Sequence, residues 1–286
     1  MKLLDLLDVE HQLYLKIEGD ISGVEIDHIS QDSRKVEKNT LFFCVPGTTV
    51  NGHKFAKMAE EKGAVCLVAS EAVEVSIPVI YVSSVIRTMA YLAMRFYGNP
   101  SASLKLIGVT GTNGKTTTTH LIRHLIQSRE GDCGMIGTNG IWYGSNHIYS
   151  PNTTPDAITF QRSLKEMVKS SISVCTTEVS SHSLVMGRVK NVDFDVAVFT
   201  NLTHEHLETH HTMEEYCMAK SLLFAQLGSG NDYKVGILNL DDPYAQTMGN
   251  RCNAILWFYS TKNPKAEFYA KEIQNKCGHC KWKGPL

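Results

Sequence analysis

Apolar and polar positions alternate in blocks along the first hundred residues. Leu41-Phe42-Phe43-Cys44-Val45 is an unbroken apolar run ended by Pro46-Gly47. Residues 55–64 (FAKMAEEKGA) carry a helical pattern, and AVCLVA (64–69) and PVIYV (78–82) are short β-rich runs. From Ser84 to Tyr97 the apolar spacing is helical again, and Gly98-Asn99-Pro100-Ser101 breaks it. These breakers predict a boundary between a first domain over 1–100 and a second over 101–286.

Beyond the boundary the rhythm is strand, glycine loop, helix. LKLIGVT (104–110) predicts a strand, and TTTHLIRHLIQSR (117–129) predicts a helix with Leu121, Ile122, Leu125 and Ile126 on one face. Further strands are expected at 173–179, 194–202, 234–240 and 254–259, with helices at 156–169 and 212–227. Several of these strands are continuously apolar, as in a parallel sheet covered on both faces. The expected fold is α/β: a small α/β N-terminal domain, then a P-loop-type central domain with a mostly parallel sheet, whose ligands gather at the carboxyl ends of the strands.

Composition narrows the function classes. With 43% hydrophobic and 20% charged residues the chain is an ordinary globular one, and 28 Lys plus Arg against 29 Asp plus Glu leave no basic field for nucleic acid or an anionic membrane. No apolar run is long enough to span a bilayer, and Asp5, Asp8 and Glu10 interrupt the leucine-rich start, so a cytoplasmic location is expected. The eight cysteines are scattered, mostly in apolar surroundings, as small hydrophobes are.

The chemistry begins after the strand at 104–110. Gly111-Thr112-Asn113-Gly114-Lys115-Thr116 precedes a helix, so glycine-borne amides and the helix N-terminus can cradle phosphate. Lys115 would reach the β and γ phosphates and the Thr116 hydroxyl a Mg²⁺ ion. The strict phosphate-loop pattern needs a further glycine where Val109 stands, so this is a variant.

Glu178 ends the next apolar strand, where a carboxylate can hold Mg²⁺ beside those phosphates. The segment FTNLTHEHLETHHTMEEYCMAK then puts His206 near a strand end and Lys220 on a helix. Histidines at 204, 206, 210 and 211 also admit a dinuclear metallohydrolase, but Thr209 occupies a position where that pattern needs histidine. Cys277-Gly278-His279-Cys280 has the spacing of a redox pair or half a zinc site, without the flanking pattern either needs, and reads as two plain cysteines.

GTNGKTTTTH, NTTPD (152–156), TTEVSSHSLVMGRV (176–189), FTNLTHEHLETHHTMEEYCMAK (199–220) and LNLDDPY (238–244) stand in the order and spacing of the Mur ligase family, and QDSRKVEKNTLFFCVPGTTVNGHKFAKMAEEKGA resembles that family's uridine-nucleotide-binding domain. The resemblance is greatest to members that add the third amino acid to the peptidoglycan precursor. It implies a ligase that activates the D-glutamate carboxyl of UDP-N-acetylmuramoyl-L-Ala-D-Glu with ATP, as an acyl phosphate, and joins it to an incoming amino acid.

By resemblance, Ser33, Thr48, Thr49 and Val50 contact the UDP-sugar. Asn152, Thr153, Thr154, Ser180 and Arg188 hold the muramoyl dipeptide, with Met186 beside them. Gly111, Thr112, Asn113, Gly114, Lys115, Thr116 and Thr117, with Asn239 and Asp241, take ATP. Thr116, Glu178, His206 and Lys220 serve Mg²⁺, Lys220 as a carbamate formed with CO₂, which turns a repelling ammonium into oxygen ligands.

The chain departs from the family where D-H-L-D-x-H-G becomes Glu205-His206-Leu207-Glu208-Thr209-His210-His211: each glutamate adds a methylene, and His211 replaces glycine. Family members continue into a third domain that helps hold the nucleotide and selects the amino acid. It is expected to be absent from these 286 residues, and the diaminopimelate-recognising D-N-P-R is not in the sequence. A nucleotide-binding remnant, one half of a split ligase partnered by a separate C-terminal domain, and a folylpolyglutamate synthase-like ligase stand as alternatives.

Overall fold

The computed structural model describes residues 1–7, 14–47, 50–205, 210–228, 233–276 and 279–283. It divides into two compact units, Met1–Asn99 with Ala157–Arg162, and Pro100–Asp156 with Ser163–Leu286. The segment 157–162 thus belongs with the first unit although it follows the expected boundary.

In the first unit, β1 (Lys16–Glu18), β2 (His28–Ser30), β3 (Thr40–Phe43), β4 (Ala64–Ala69) and β5 (Val79–Tyr81) form a sheet in the order β1-β5-β4-β3-β2. All its pairs are parallel except β1 on β5. The apolar runs of β3 and β4 are split by strand alternation between two cores. Leu41, Phe43, Cys66 and Val68 pack with α1 (Leu3–Leu7) and α3 (Val85–Phe96), whereas Phe42, Leu67 and Ala69 pack with α2 (Ala56–Glu61). Burial on both faces explains why these strands lack a polar side.

The second unit is built on β6 (Lys105–Thr110), β7 (Cys133–Gly137), β8 (Gly140–Tyr143), β9 (Asn146–Ile148), β10 (Val174–Glu178), β11 (Val196–Phe199), β12 (Val235–Asn239), β13 (Ile255–Ser260) and β14 (Phe268–Tyr269). Their order is β14-β13-β12-β11-β6-β10-β7-β8-β9. From β14 to β7 the pairs are parallel; β8 and β9 add an antiparallel edge. That edge escapes a reading of hydrophobic runs because Gly134, Gly137, Gly140 and Gly144 chop it into short pieces. β15 (Lys271–Lys276) and β16 (His279–Lys283) make a separate antiparallel pair. The helices of this stretch are α4 (Lys115–Gln127), α5 (Ala157–Lys169), α6 (Ser181–Val185), α7 (Met213–Ala225) and α8 (Ala245–Gly249).

β6 lies between β10 and β11. The chain leaves it toward β7 on one side and, after β10, returns to β11 on the other. The carboxyl ends of β6, β10 and β11 therefore lie side by side where the strand order reverses, the place where open α/β sheets bind ligands.

The four apolar residues on one face of α4 do not share one environment. Leu121 and Leu125 are 60% and 63% exposed, and the buried or half-buried stripe is Thr119, Ile122, Arg123 and Ile126. Polar anchoring sets the helix's rotation: Thr176 Oγ1 donates to the Thr119 carbonyl (3.2 Å) and Arg123 Nε to the Cys133 carbonyl (2.9 Å). No helix among the described residues is long and apolar enough to cross a membrane.

Candidate nucleotide and metal site

The glycine loop leaves β6 where Val109, buried inside the strand, pairs with Glu178 on one side and Val198 on the other. The turn is made by Gly111 instead. Its φ is +151°, and a Cβ there would lie 1.9 Å from Thr200 Oγ1. Only glycine lets the loop lie this close to the end of β11.

Helix α4 starts at Lys115 on Gly114, which supplies no side-chain cap. The amides of its first turn remain open to an anion. Lys115 Nζ folds back onto the carbonyls of Gly111 (2.9 Å) and Thr112 (2.8 Å). Burial lowers its pKa, opposed by the charges of Glu178 and Glu205.

Glu178, 2% exposed, turns its carboxylate toward the same turn. Oε2 accepts from Thr116 Oγ1 (2.8 Å) and Thr138 Oγ1 (3.3 Å), and Oε1 accepts from the Thr138 amide (2.9 Å). Gly137 makes the space: a Cβ there would lie 2.3 Å from Oε1. A carboxylate and a hydroxyl side by side form a hard oxygen set that suits Mg²⁺.

Lys220, 1% exposed on α7, donates to the Gly111 carbonyl (2.8 Å), with Nζ 4.4 Å from the centre of the Tyr216 ring. Burial first, then the positive charge of Lys115, hold its amine well below the ordinary lysine value, while Glu205 pulls the other way. As an amine it offers a metal no lone pair while protonated; as a carbamate it would offer oxygens.

The muramoyl-dipeptide positions assigned by resemblance fall in the same unit. Thr153 Oγ1 lies 3.0 Å from Thr138 Oγ1, and Thr154 Oγ1 donates to the Glu178 carbonyl (2.8 Å) and accepts from the Ser180 amide (3.2 Å). Arg188 donates to the Thr154 carbonyl (2.8 Å), with Met186 Sδ 4.0 Å from its other nitrogen. The Ser180 hydroxyl caps α6 by accepting from the Ser183 amide. Asn152 is exposed, its carbonyl held by Ser150.

Asn239 and Asp241 follow the end of β12. Asn239 Nδ2 donates to the Thr200 carbonyl (2.8 Å), and the Asp241 carboxylate accepts from Ser260 and from the amide and hydroxyl of Thr261. In the first unit, Ser33 is buried in a short turn behind Asp32 and Val50 is exposed. Thr48, Thr49 and His206 lie outside the described residues, as does Cys277.

The stretch after β11 contributes more than the single histidine read from it. The Thr112 amide donates to the Asn201 carbonyl (2.8 Å) and the Asn113 amide to the Asn201 side chain (2.9 Å); Thr200 Oγ1 donates to the Asn113 carbonyl (2.7 Å). The Thr203 amide donates to Thr112 Oγ1 (2.9 Å), and Asp242 accepts from the Leu202 amide (2.7 Å). Thr200, Asn201 and Thr203 thus bracket the glycine loop from β11. The only sequence signal for them was the polar T-N-L-T ending an apolar strand.

Of the remaining histidines, His204 is exposed, and His210 is buried against Ser181 Oγ (2.9 Å) and stacked on Tyr216. His211 has φ +56°. No group of three or more His, Cys, Asp or Glu among the described residues converges on a metal position.

Comparison with known proteins agrees with this geometry. Residues 109–283 match the Mur ligase middle domain, and residues 25–96 match the Mur ligase family catalytic domain. The chain is 48% identical over 260 residues to UDP-N-acetylmuramoyl-L-alanyl-D-glutamate--2,6-diaminopimelate ligase of Listeria monocytogenes, covering 90% of this chain and 53% of that protein. The like-named protein of Halalkalibacterium halodurans is 44% identical over 274 residues, covering 96% and 56%. A solved structure of a ligase of the same name superposes with a TM-score of 0.81 at 29% identity, over 94% of this chain and 55% of that one. The chain spans about half the length of these relatives. With its glycine loop, Glu178 and Lys220 all inside the matched middle domain, the chain belongs to the Mur ligase family.

Proposed function

We propose that this chain is the uridine-nucleotide- and ATP-handling part of a cytoplasmic ligase that joins the D-glutamate carboxyl of UDP-N-acetylmuramoyl-L-Ala-D-Glu to an amino group of 2,6-diaminopimelate. The observation that carries it is the meeting of Lys115, Thr116, Glu178 and Lys220 around one turn of backbone at Gly111. The diaminopimelate assignment rests on the names of the 44% and 48% identical relatives.

A carboxylate resists attack by an amine, so the γ-phosphoryl group of ATP is first transferred to it, leaving ADP and an acyl phosphate. The amine then attacks the acyl carbon, phosphate leaves with the C–O bonding pair, and the nitrogen loses a proton as the amide forms. Lys115 exchanges its two backbone carbonyls for phosphate oxygens and, with the first-turn amides of α4, stabilises the charge on the transferring group. Mg²⁺, when bound, neutralises charge on the β and γ phosphates. Thr116 and Glu178 would hold it, with His206 and the carbamate of Lys220 completing the set. Thr153, Thr154 and Arg188 would orient the acyl donor, and the first unit would bind its uridine nucleotide at Ser33, Thr48, Thr49 and Val50.

Thermal-shift titration of the polypeptide checks the donor assignment. UDP-N-acetylmuramoyl-L-Ala-D-Glu should raise the melting temperature where a dihydropteroate does not. Stabilisation by the pteroate alone would move the chain to folylpolyglutamate chemistry, and stabilisation by neither would end the donor assignment.

A further inference from the structure

Thr138, in the turn between β7 and β8, is not among the residues assigned by resemblance, yet it touches both ends of the site. Its amide and hydroxyl supply two of the three donors on the Glu178 carboxylate, and the same hydroxyl lies 3.0 Å from Thr153 Oγ1. A hydroxyl carries one hydrogen. If Thr138 gives it to Glu178, it must accept from Thr153; if Thr153 turns its own hydrogen to a ligand, Thr138 and Glu178 must rearrange. Thr138 is itself exposed, so the contact is not a by-product of core packing.

We propose that Thr138 is a positioning residue that couples the acyl-donor loop at Thr153 to the Glu178 carboxylate, so that the donor and the Mg²⁺-nucleotide each change the affinity of the site for the other. The inference rests on the ligase reading given above. Coupling between sites typically amounts to about 5- to 150-fold in affinity.

The test is isothermal titration of Mg²⁺ with a non-hydrolysable ATP analogue, with and without saturating UDP-N-acetylmuramoyl-L-Ala-D-Glu, on wild type, Thr138→Val and Thr138→Ser. Valine keeps the branched shape and the backbone amide and removes only the hydroxyl; serine keeps the hydroxyl. Wild type should show at least about fivefold coupling, Thr138→Val a ratio near one, and Thr138→Ser most of the wild-type ratio. Equal coupling in all three, no coupling in wild type, or loss in both variants overturns the role of Thr138 while leaving nucleotide binding intact. Absence of any nucleotide binding by wild type instead overturns the ligase reading beneath it.

Discussion

Lys220 Nζ donates to the carbonyl of Gly111 at 2.8 Å, across 109 residues of sequence. The bond ties helix α7 to the glycine loop and buries an amine beside a second lysine that uses the same carbonyl. Both burial and Lys115 favour the neutral amine, the form that reacts with CO₂. Protein equilibrated with ¹³C-labelled bicarbonate should therefore show a carbamate resonance that Lys220→Met lacks. Because the folded pKa is depressed, the neutral fraction saturates below the pH needed by an ordinary lysine, and the signal should plateau there. A resonance that rises only through the ordinary lysine range would place the modification elsewhere.

Gly111→Ala puts a methyl group onto Thr200 Oγ1 and strains a positive φ. Thr200 would have to abandon its bond to the Asn113 carbonyl. A loss of about 2–4 kcal/mol is expected in urea unfolding. Adding Thr200→Ala should restore part of it by removing the clash and not the strain. An unchanged midpoint in the single variant would show that the loop does not lie against β11 as described.

What the sequence revealed and what it hid divide along a physical line. Strands buried on both faces, such as β3 and β4, announce themselves as apolar runs, and the glycine loop carries its own residue types. Side chains used on backbone groups announce nothing: Asn201 and Thr203 reach the loop across about ninety residues, and no local period encodes that. The same limit hides which side of α4 is buried. Leu121 and Leu125 are as apolar as the half-buried Ile122 and Ile126, but the bonds at Thr119 and Arg123 set which side faces the sheet. Thr138 was missed because its partners, Glu178 and Thr153, converge on it only once β7 and β10 are paired.

His211 occupies a left-handed conformation, φ +56°, where the family motif has glycine. A side chain there costs about 1–3 kcal/mol, and glycine returns some of that gain to the unfolded chain. His211→Gly should stabilise the protein by about 0.5–1 kcal/mol in urea unfolding. Destabilisation would mean that the imidazole makes a contact worth more than the strain.

Asp241 is partly desolvated, which raises its pKa, but the donors Ser260 and Thr261 outweigh that and hold it down to about 2 from 3.8. With the folded value below the unfolded one, the unfolded chain binds more protons between about pH 4 and pH 2. The carboxylate's contribution is thus present above that window and lost as pH falls through it. Unfolding free energies of wild type and Asp241→Asn should converge as pH falls from about 5 to about 2. A constant difference would place the donors elsewhere.

In the proposed ligase, Gly111–Thr117, with the Lys115 side chain, holds the phosphates of ATP. Isothermal titration of this polypeptide with Mg²⁺-ATP measures that binding. Wild type should bind with a dissociation constant of about 1 μM to 1 mM, and Lys115→Ala should bind at least about tenfold more weakly, since a charge-assisted contact to phosphate is lost. No binding by wild type, or equal binding by the variant, would contradict that role.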